Sequence, residues 1–508
     1  MCGITAVWGE SDKALTKSMM QSLVHRGPDG QGVGAWEKGS LGHRRLAIID
    51  PAGGKQPLYN EDQRLGLVAN GEIYNFAELK DRLIRRRHRF ATASDSEVAV
   101  HLYEEHGEDE LSCLDGMYAY ALTDGIDFMA VRDPVGIKPL YYGKRGESLV
   151  FASELKALAG RVTEVKEFPP GSFYHSRSGL RKYRSLPRAR PAAAMTPAQA
   201  CRQVRRTLEE AIDKRLMSDV PLGAFLSGGL DSSIIAAVAR SRMKELHTFA
   251  VGIEGSRDLQ AARMVAEHIG SIHHEHVFTV REIQENLPDI VYSLESFDLD
   301  LVRSAIPCHF VSRLAAGHVK VILTGEGADE LFGGYAYYKD FDDTMPLHEE
   351  LYRSVCSLHN VNLQRVDRLT MAHSIEGRVP FLDLAMIKLG QRIPTHLKIR
   401  RDQRSGKRIE KWVLRKAFED LLPPEIAWRD KEQFDEGSGS ADVLPHIGEH
   451  FMPAAEFAGY AARHHRDHLR SHEEGVYHKL LCGGYPDAEA ILANVGRWQQ
   501  GRLGGLPA

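Results

Sequence analysis

The stretch LGAFLSGGLDSSIIAAVAR, residues 222–240, reads as a short apolar strand, a glycine turn and the start of a helix. Gly228 and Gly229 permit a tight turn. The backbone N–H groups of that turn, with the helix N-terminus behind them, form an anion cradle. Ser227, Ser232 and Ser233 add hydroxyl donors. No Gly-Lys-Ser/Thr follows, so this is not a Walker A loop. An acid inside such a cradle, Asp231, makes sense mainly as a ligand for Mg2+ carried on a pyrophosphate.

Working outward, the C-terminal side alternates strand and helix patterns. A helix near 198–216 precedes the stretch. HTFAVGI, LQAARMVAEHIG and HEHVFTV follow it as strand, helix and strand, then a helix at 304–316 and the strand VKVILTG. Such alternation predicts βαβ units and a mostly parallel sheet. In that architecture ligands bind beyond the C-terminal ends of the strands. TGEGADE, 324–330, directly follows VKVIL and places Glu326, Asp329 and Glu330 there. Carboxylates beside a phosphate repel it unless a cation intervenes. Asp329 is therefore the second expected Mg2+ ligand, Glu326 a candidate base, and Lys431 of RDKEQF (429–434) the cation expected on the phosphates.

Towards the N-terminus, SLPRARPAAAMTPAQ (185–199) is a Pro/Ala-rich stretch between two periodic regions and reads as a linker. It predicts two domains, 2–184 and 200–508. Before it, ITAVWG, LAIID, LGLVANG, FMAVRD, LYYG and LVFAS read as strands, with helices around 13–25 and 76–89, an α+β pattern. Cys2 becomes the first residue if the initiator Met is removed, which joins a thiol nucleophile to an α-amine able to act as base near neutral pH. A glutamine amide attacked there needs an anchor for its α-carboxylate, supplied by Arg45, and acceptors for its α-ammonium, supplied by Glu72 and Asp95. The Asn70 side chain and the Gly71 N–H are the natural oxyanion donors.

Two resemblances follow from these strings. MCGI, HRGPDG, RLAIID, NGEIYN, SDSE and RDPVGIKPLYYG resemble the class II glutamine amidotransferase domain. That likeness implies an N-terminal-nucleophile α/β/β/α sandwich that hydrolyses glutamine through a thioester at Cys2. SGGLDSS resembles the PP-loop of ATP pyrophosphatases, an adenine nucleotide hydrolase-like α/β fold. Residues 201–440, with MSDVPLGAFLSGGLDSS, GEGADELFGGY, EGRVPFLD and DKEQFDEGSG, resemble the synthetase domain of glutamine-dependent asparagine synthetase. The implied reaction consumes glutamine, aspartate and ATP with Mg2+, through β-aspartyl-AMP attacked by ammonia. Residues such as those of MYAYAL are expected to line an ammonia tunnel. The resemblance also implies nucleotide contacts at Phe225, Leu226, Val251, Thr324 and Gly325, and acceptor contacts at Arg303 and Glu330.

The sequence departs from the family pattern at VRSAIPC, 302–308, where Ile306 replaces a hydroxyl residue expected near the acceptor. This keeps open an amide synthetase acting on another carboxylate, beside a non-catalytic regulatory homologue. The second alternative predicts erosion at Cys2, Asp231, Glu326 or Lys431, and all four are present. His273, His274 and His276 in SIHHEHVF invite a metal reading but enter a strand, and RRRHR at 85–89 reads as a solvated helix face.

The 508 residues are 43% apolar and 26% charged with a net charge of -4, which argues against disorder and offers no footprint for nucleic acid or a membrane surface. The six scattered cysteines contain no CxxC pair and fit a reducing cytoplasm. No signal peptide or membrane span is expected, and the family likeness makes a homodimer an expectation. The last 60 residues, rich in histidine, give no clear periodic reading.

Overall fold

In the strand Gly116–Thr123, Ala119 and Ala121 pack with Ile4, Ala6, Leu41, Val68 and Phe151, whereas Tyr118, Tyr120 and Leu122 pack with Leu79, Leu83, Val98 and Leu102. Alternate residues therefore serve two different interiors, and this period of two builds the layers of the first half. The computed structural model describes residues 2–402, 406–441 and 443–498. Among them, two six-stranded antiparallel sheets stack face to face. The first runs Thr163–Glu167, Tyr141–Arg145, Ser148–Ala152, Gly3–Trp8, Gly39–Arg45, Gly30–Trp36. The second runs Gly179–Lys182, Ser172–His175, Phe128–Arg132, Gly116–Thr123, Gly66–Ile73, Leu58–Tyr59. Lys13–Gln21 covers the outer face of the first sheet through Leu15 and Met19, and Phe76–Arg85 and Glu97–His106 cover the second. The result is the α/β/β/α sandwich.

The second half is built on a parallel five-stranded sheet in the order Ile272–Val277, His247–Gly252, Leu222–Phe225, Val321–Leu323, Glu376–Arg378. In chain order the strands run 3-2-1-4-5, so the winding reverses between Leu222–Phe225 and Val321–Leu323. A doubly wound sheet opens a crevice at that switch point. SGGLDSS and TGEGADE are the loops that leave these two neighbouring strands.

LAIID is not a strand. The strand ends at Arg45, whose guanidinium donates to the carbonyls of Asp50 and Pro51 at 2.6 and 2.9 Å and curls the chain over, with Asp50 at φ 50°. Leu46 and Ile48 instead join Met117, Val135 and Ile137 in one interior with Leu222, Leu323 and Val379, so the two halves share a core. No helix or strand occupies 183–196. The histidine-rich end forms helices at Leu444–Phe451, Ala454–Arg463 and His472–Gly484, the last packing on Val280–Leu294 and Leu299–Ala316.

Fully buried charges also cross between the halves. Arg26 donates to Glu154 at 2.5 Å and to Asp367 at 2.7 and 3.1 Å, while Arg368 pairs with Glu295 at 2.9 Å. Lys156 bridges Glu154 and Glu295 at 2.7 and 3.3 Å. Removing one member strands its partner in low dielectric. Asp367→Ala is expected to destabilise the protein by about 3–5 kcal/mol, read as a lower urea midpoint. An unchanged midpoint would show that Arg26 does not depend on Asp367.

Candidate active sites

Cys2 lies at the head of the strand Gly3–Trp8, buried, with its Sγ 3.9 Å from the Leu46 carbonyl. Burial pushes the thiol above its ordinary pKa, so it needs a base to attack. Its N–H donates to Asn70 Oδ1 at 2.9 Å, and Arg26 Nε donates to its carbonyl at 3.0 Å. Because Oδ1 is occupied in this way, the amide's orientation leaves Asn70 Nδ2, a buried donor, without a hydrogen-bond partner among the described residues. Gly71 next to it has φ +139°, and a Cβ there would lie 1.9 Å from the Met117 carbonyl, so no other residue fits. The Asn70 Nδ2 is thus a donor close to Cys2, of the kind an oxyanion requires.

Arg45 is buried and braces the 49–51 loop, without exhausting its N–H groups. Asp95 Oδ2 accepts from the Ile73 N–H at 2.7 Å, and burial raises this carboxyl to about 6. Glu72 is raised well above the carboxylate range by burial and by Glu376 and Asp95, while Arg378 faces it at 3.4 Å. Arg378 also binds Glu376 at 2.6 Å. Both belong to the edge strand Glu376–Arg378, so the second half completes the charge environment of the first site.

The switch-point crevice holds a cavity of roughly 500 Å3. Lys411 Nζ sits between Asp231 Oδ2 and Asp329 Oδ1, 2.5 Å from each, and Lys431 Nζ lies 3.0 Å from Asp329 Oδ2. Despite burial, the two lysines hold Asp329 far below the usual carboxylate range. Asp231 Oδ1 is buried with no hydrogen-bond partner among the described residues. Glu326 is ion-paired with Arg365. An anion cradle, paired acids and two lysines suit a polyphosphate with its cation.

Residues 1–179 match the family model described as a glutamine amidotransferase domain, and residues 203–342 and 339–478 match the one described as asparagine synthase. The chain is 43% identical to "Asparagine synthetase [glutamine-hydrolyzing] 2" of Oryza sativa subsp. japonica, covering 89% of this chain and 80% of the relative. It is 43% identical to "Asparagine synthetase [glutamine-hydrolyzing] 3" of Arabidopsis thaliana, covering 97% and 89%. The chain belongs to the asparagine synthase family.

For this asparagine synthase family member, the cavity wall includes Phe225, Leu226, Ser227, Gly229, Asp231 and Ser232 from the first loop. Val251, Thr324, Gly325, Glu326, Asp329 and Lys431 line it as well. Four expected residues lie off the wall. Gly228, at φ +72°, backs onto Ala261, where a Cβ would come within 2.4 Å, so its role is to shape the turn. Ser233 is fully buried on the helix. Glu330 is buried against Tyr335, whose hydroxyl donates to it at 2.5 Å, and its carboxyl is raised by burial to about 7. Arg303 is turned to Glu473, held at 2.8 and 2.6 Å. Ile306 packs in the core, while Ser304 and Cys308 of the same helix reach the cavity. Nothing in the local sequence singles out Lys411 or Arg365. RIEKWVLRK carries no turn signal, although Lys411 adopts φ +53° immediately before the helix Trp412–Phe418.

Proposed function

We propose that the chain is a glutamine-hydrolysing asparagine synthetase. The Cys2 thiolate attacks the glutamine side-chain carbonyl, a thioester forms as the C–N bond breaks, ammonia leaves, and water releases glutamate. Asn70 and Gly71 hold the oxyanion, Arg45 the α-carboxylate, and Glu72 and Asp95 the α-ammonium. In the second site the β-carboxylate of aspartate attacks the α-phosphorus of ATP and pyrophosphate leaves, with Lys431 placed to offset the charge that develops. Ammonia then displaces AMP from β-aspartyl-AMP, with Glu326 as the base. Asp231 and Asp329 would hold Mg2+, and the unpartnered Asp231 Oδ1 supports that fit. The ion supplies charge neutralisation on the phosphates when bound.

The observation that carries the proposal is the pairing of a nucleophile site and a polyphosphate crevice across one shared interior. We assign domains 2–184 and 200–508 with a linker at 185–199, and an ammonia path through the shared core past Met117. Among the described residues no helix is long and apolar enough to cross a membrane, and the six cysteines are free thiols, which supports a reducing compartment such as the cytoplasm.

The deciding assay supplies glutamine, ATP and Mg2+ with one carboxylate at a time and follows pyrophosphate, AMP and amide. Aspartate-dependent pyrophosphate and asparagine are expected. Pyrophosphate formed only with another carboxylate would replace the acceptor.

Asp95 adds a pH dependence. Its carboxylate, the form that accepts from an ammonium, is full above about 6 and lost below. Between pH 7 and pH 5 the competent fraction falls about tenfold, so KM for glutamine should rise about tenfold. Asp95→Asn should flatten that profile, and a wild-type profile already flat would remove Asp95 from the ammonium site.

A further inference from the structure

Away from both sites, two histidines and two glutamates converge on the helix-covered face of the first half. Glu61 lies in the turn between Leu58–Tyr59 and Gly66–Ile73, His88 follows the helix Phe76–Arg85, and His101 and Glu104 lie on Glu97–His106. One ligand atom from each lies within 4.8 Å of the others. The expectation of a solvated face at 85–89 does not hold for His88. The helix stops at Arg85, Arg87 takes φ +78°, and the His88 side chain turns in to 13% exposure. His101 is fully buried, with the Phe90 ring edge-on to it at 4.5 Å.

The donors are arranged as a coordination shell. Nδ1 of His88 lies 3.2 Å from Glu61 Oε1 and 3.8 Å from Glu104 Oε2. Nδ1 of His101 lies 3.5 Å from Glu61 Oε2 and 3.2 Å from Glu104 Oε2. Tetrahedral zinc with nitrogen and oxygen ligands at about 2.0–2.2 Å sets donors about 3.3 Å apart. Both imidazoles thus aim the same nitrogen at the same two carboxylates. Their other nitrogens face further acids, His88 Nε2 to Glu105 at 3.1 Å and His101 Nε2 to Glu97 at 3.6 Å. For His88 that is the arrangement by which an outer carboxylate fixes the ring of a metal-bound histidine, whereas His101 Nε2 makes no hydrogen bond among the described residues. The carboxylates are themselves held. Glu61 Oε1 accepts from the Arg89 N–H at 2.8 Å, and Glu104 Oε1 from Asn60 Nδ2 at 2.7 Å.

The geometry points to a zinc site formed by Glu61, His88, His101 and Glu104. Two imidazoles and two carboxylates suit Zn2+ rather than Mg2+ or Ca2+, which prefer all-oxygen sets, and two glutamates balance its charge. Four protein ligands close the shell, so the role is structural. The ion ties together three segments, the turn that holds Glu61, the stretch after Phe76–Arg85 that holds His88, and the helix Glu97–His106. A second cluster, His247, His274 and His318, also falls within 4.8 Å but lacks a carboxylate. There His247 and His274 share a 2.9 Å hydrogen bond and His274 stacks on His318, so the rings already partner one another. It serves as the control.

The test uses the full chain, stripped with EDTA, incubated with ZnCl2 and passed through gel filtration before metal analysis. One zinc per chain and a raised Tm are expected. His88→Gln and Glu61→Gln, each checked for native circular dichroism, should weaken zinc binding at least about 100-fold, and Glu105→Gln about 10–100-fold. His274→Gln should retain the zinc. With Co2+ in place of Zn2+, intense tetrahedral d–d absorption should appear in wild type and vanish in His88→Gln. Folded wild type that retains no zinc would mean the histidines only pair with acids, and overturns the site. Zinc retained in full by His88→Gln, or lost in His274→Gln, overturns it equally.

Discussion

Cys2→Ala is expected to lower glutamine-dependent asparagine formation by about 10^3-fold or more and to leave synthesis from added ammonium near wild type. The substitution removes only Sγ. The N–H that donates to Asn70 and the carbonyl that accepts from Arg26 are both backbone and survive, so the strand and the buried ion network should stay in place. The crevice proposed for ATP lies in the other half, and neither Asn70 nor Arg26 lines it. Separate assays with glutamine and with ammonium chloride, each following pyrophosphate and asparagine, distinguish the outcomes. Loss of both activities in a folded variant would mean that the two sites are not chemically independent.

Asp231→Asn should do the converse. Pyrophosphate formation should fall by about 10^2-fold or more with either nitrogen donor, while glutamine hydrolysis measured as glutamate release persists. The amide keeps the size of the side chain but removes the charge that Lys411 contacts at 2.5 Å and the free oxygen offered to a hard cation. Lys411 keeps Asp329 as partner, so the variant need not unfold. Raising Mg2+ should recover part of the rate if the loss lies in cation affinity. A variant that retains pyrophosphate formation within tenfold of wild type would take Asp231 out of the phosphate chemistry.

The strand, turn and helix at 222–240 were legible because their determinants are local. Glycines shape the turn and apolar residues precede and follow it, so the anion cradle can be read from a few neighbours. The acids of TGEGADE were legible for the same reason, since they leave an apolar strand in a sheet whose ligand end is fixed by topology. The α/β/β/α sandwich followed from the motif resemblance more than from strand patterns, and LAIID shows why. Its apolar run is a strand pattern, but Arg45 reaches forward to the carbonyls of its own loop and breaks the pairing. Lys411 between two acids, Arg365 on Glu326, and Glu376 with Arg378 beside Glu72 were beyond reading. Each is a meeting of segments far apart in the chain, and no local spacing encodes it.

The ions buried between Arg26, Glu154, Asp367, Arg368 and Glu295 bear on whether the amidotransferase half can be exchanged as a module. Cutting the chain in the 185–199 stretch would leave Arg26 without Asp367 and Glu154 without Arg368, which lies 3.9 Å from it, and would open the apolar seam around Met117 to water. A chimera that grafts this half onto a foreign synthetase must therefore carry across the matching acid and arginine at 367 and 368. A recombinant that separates Arg26 from those two positions is expected to be less stable than one that keeps them together.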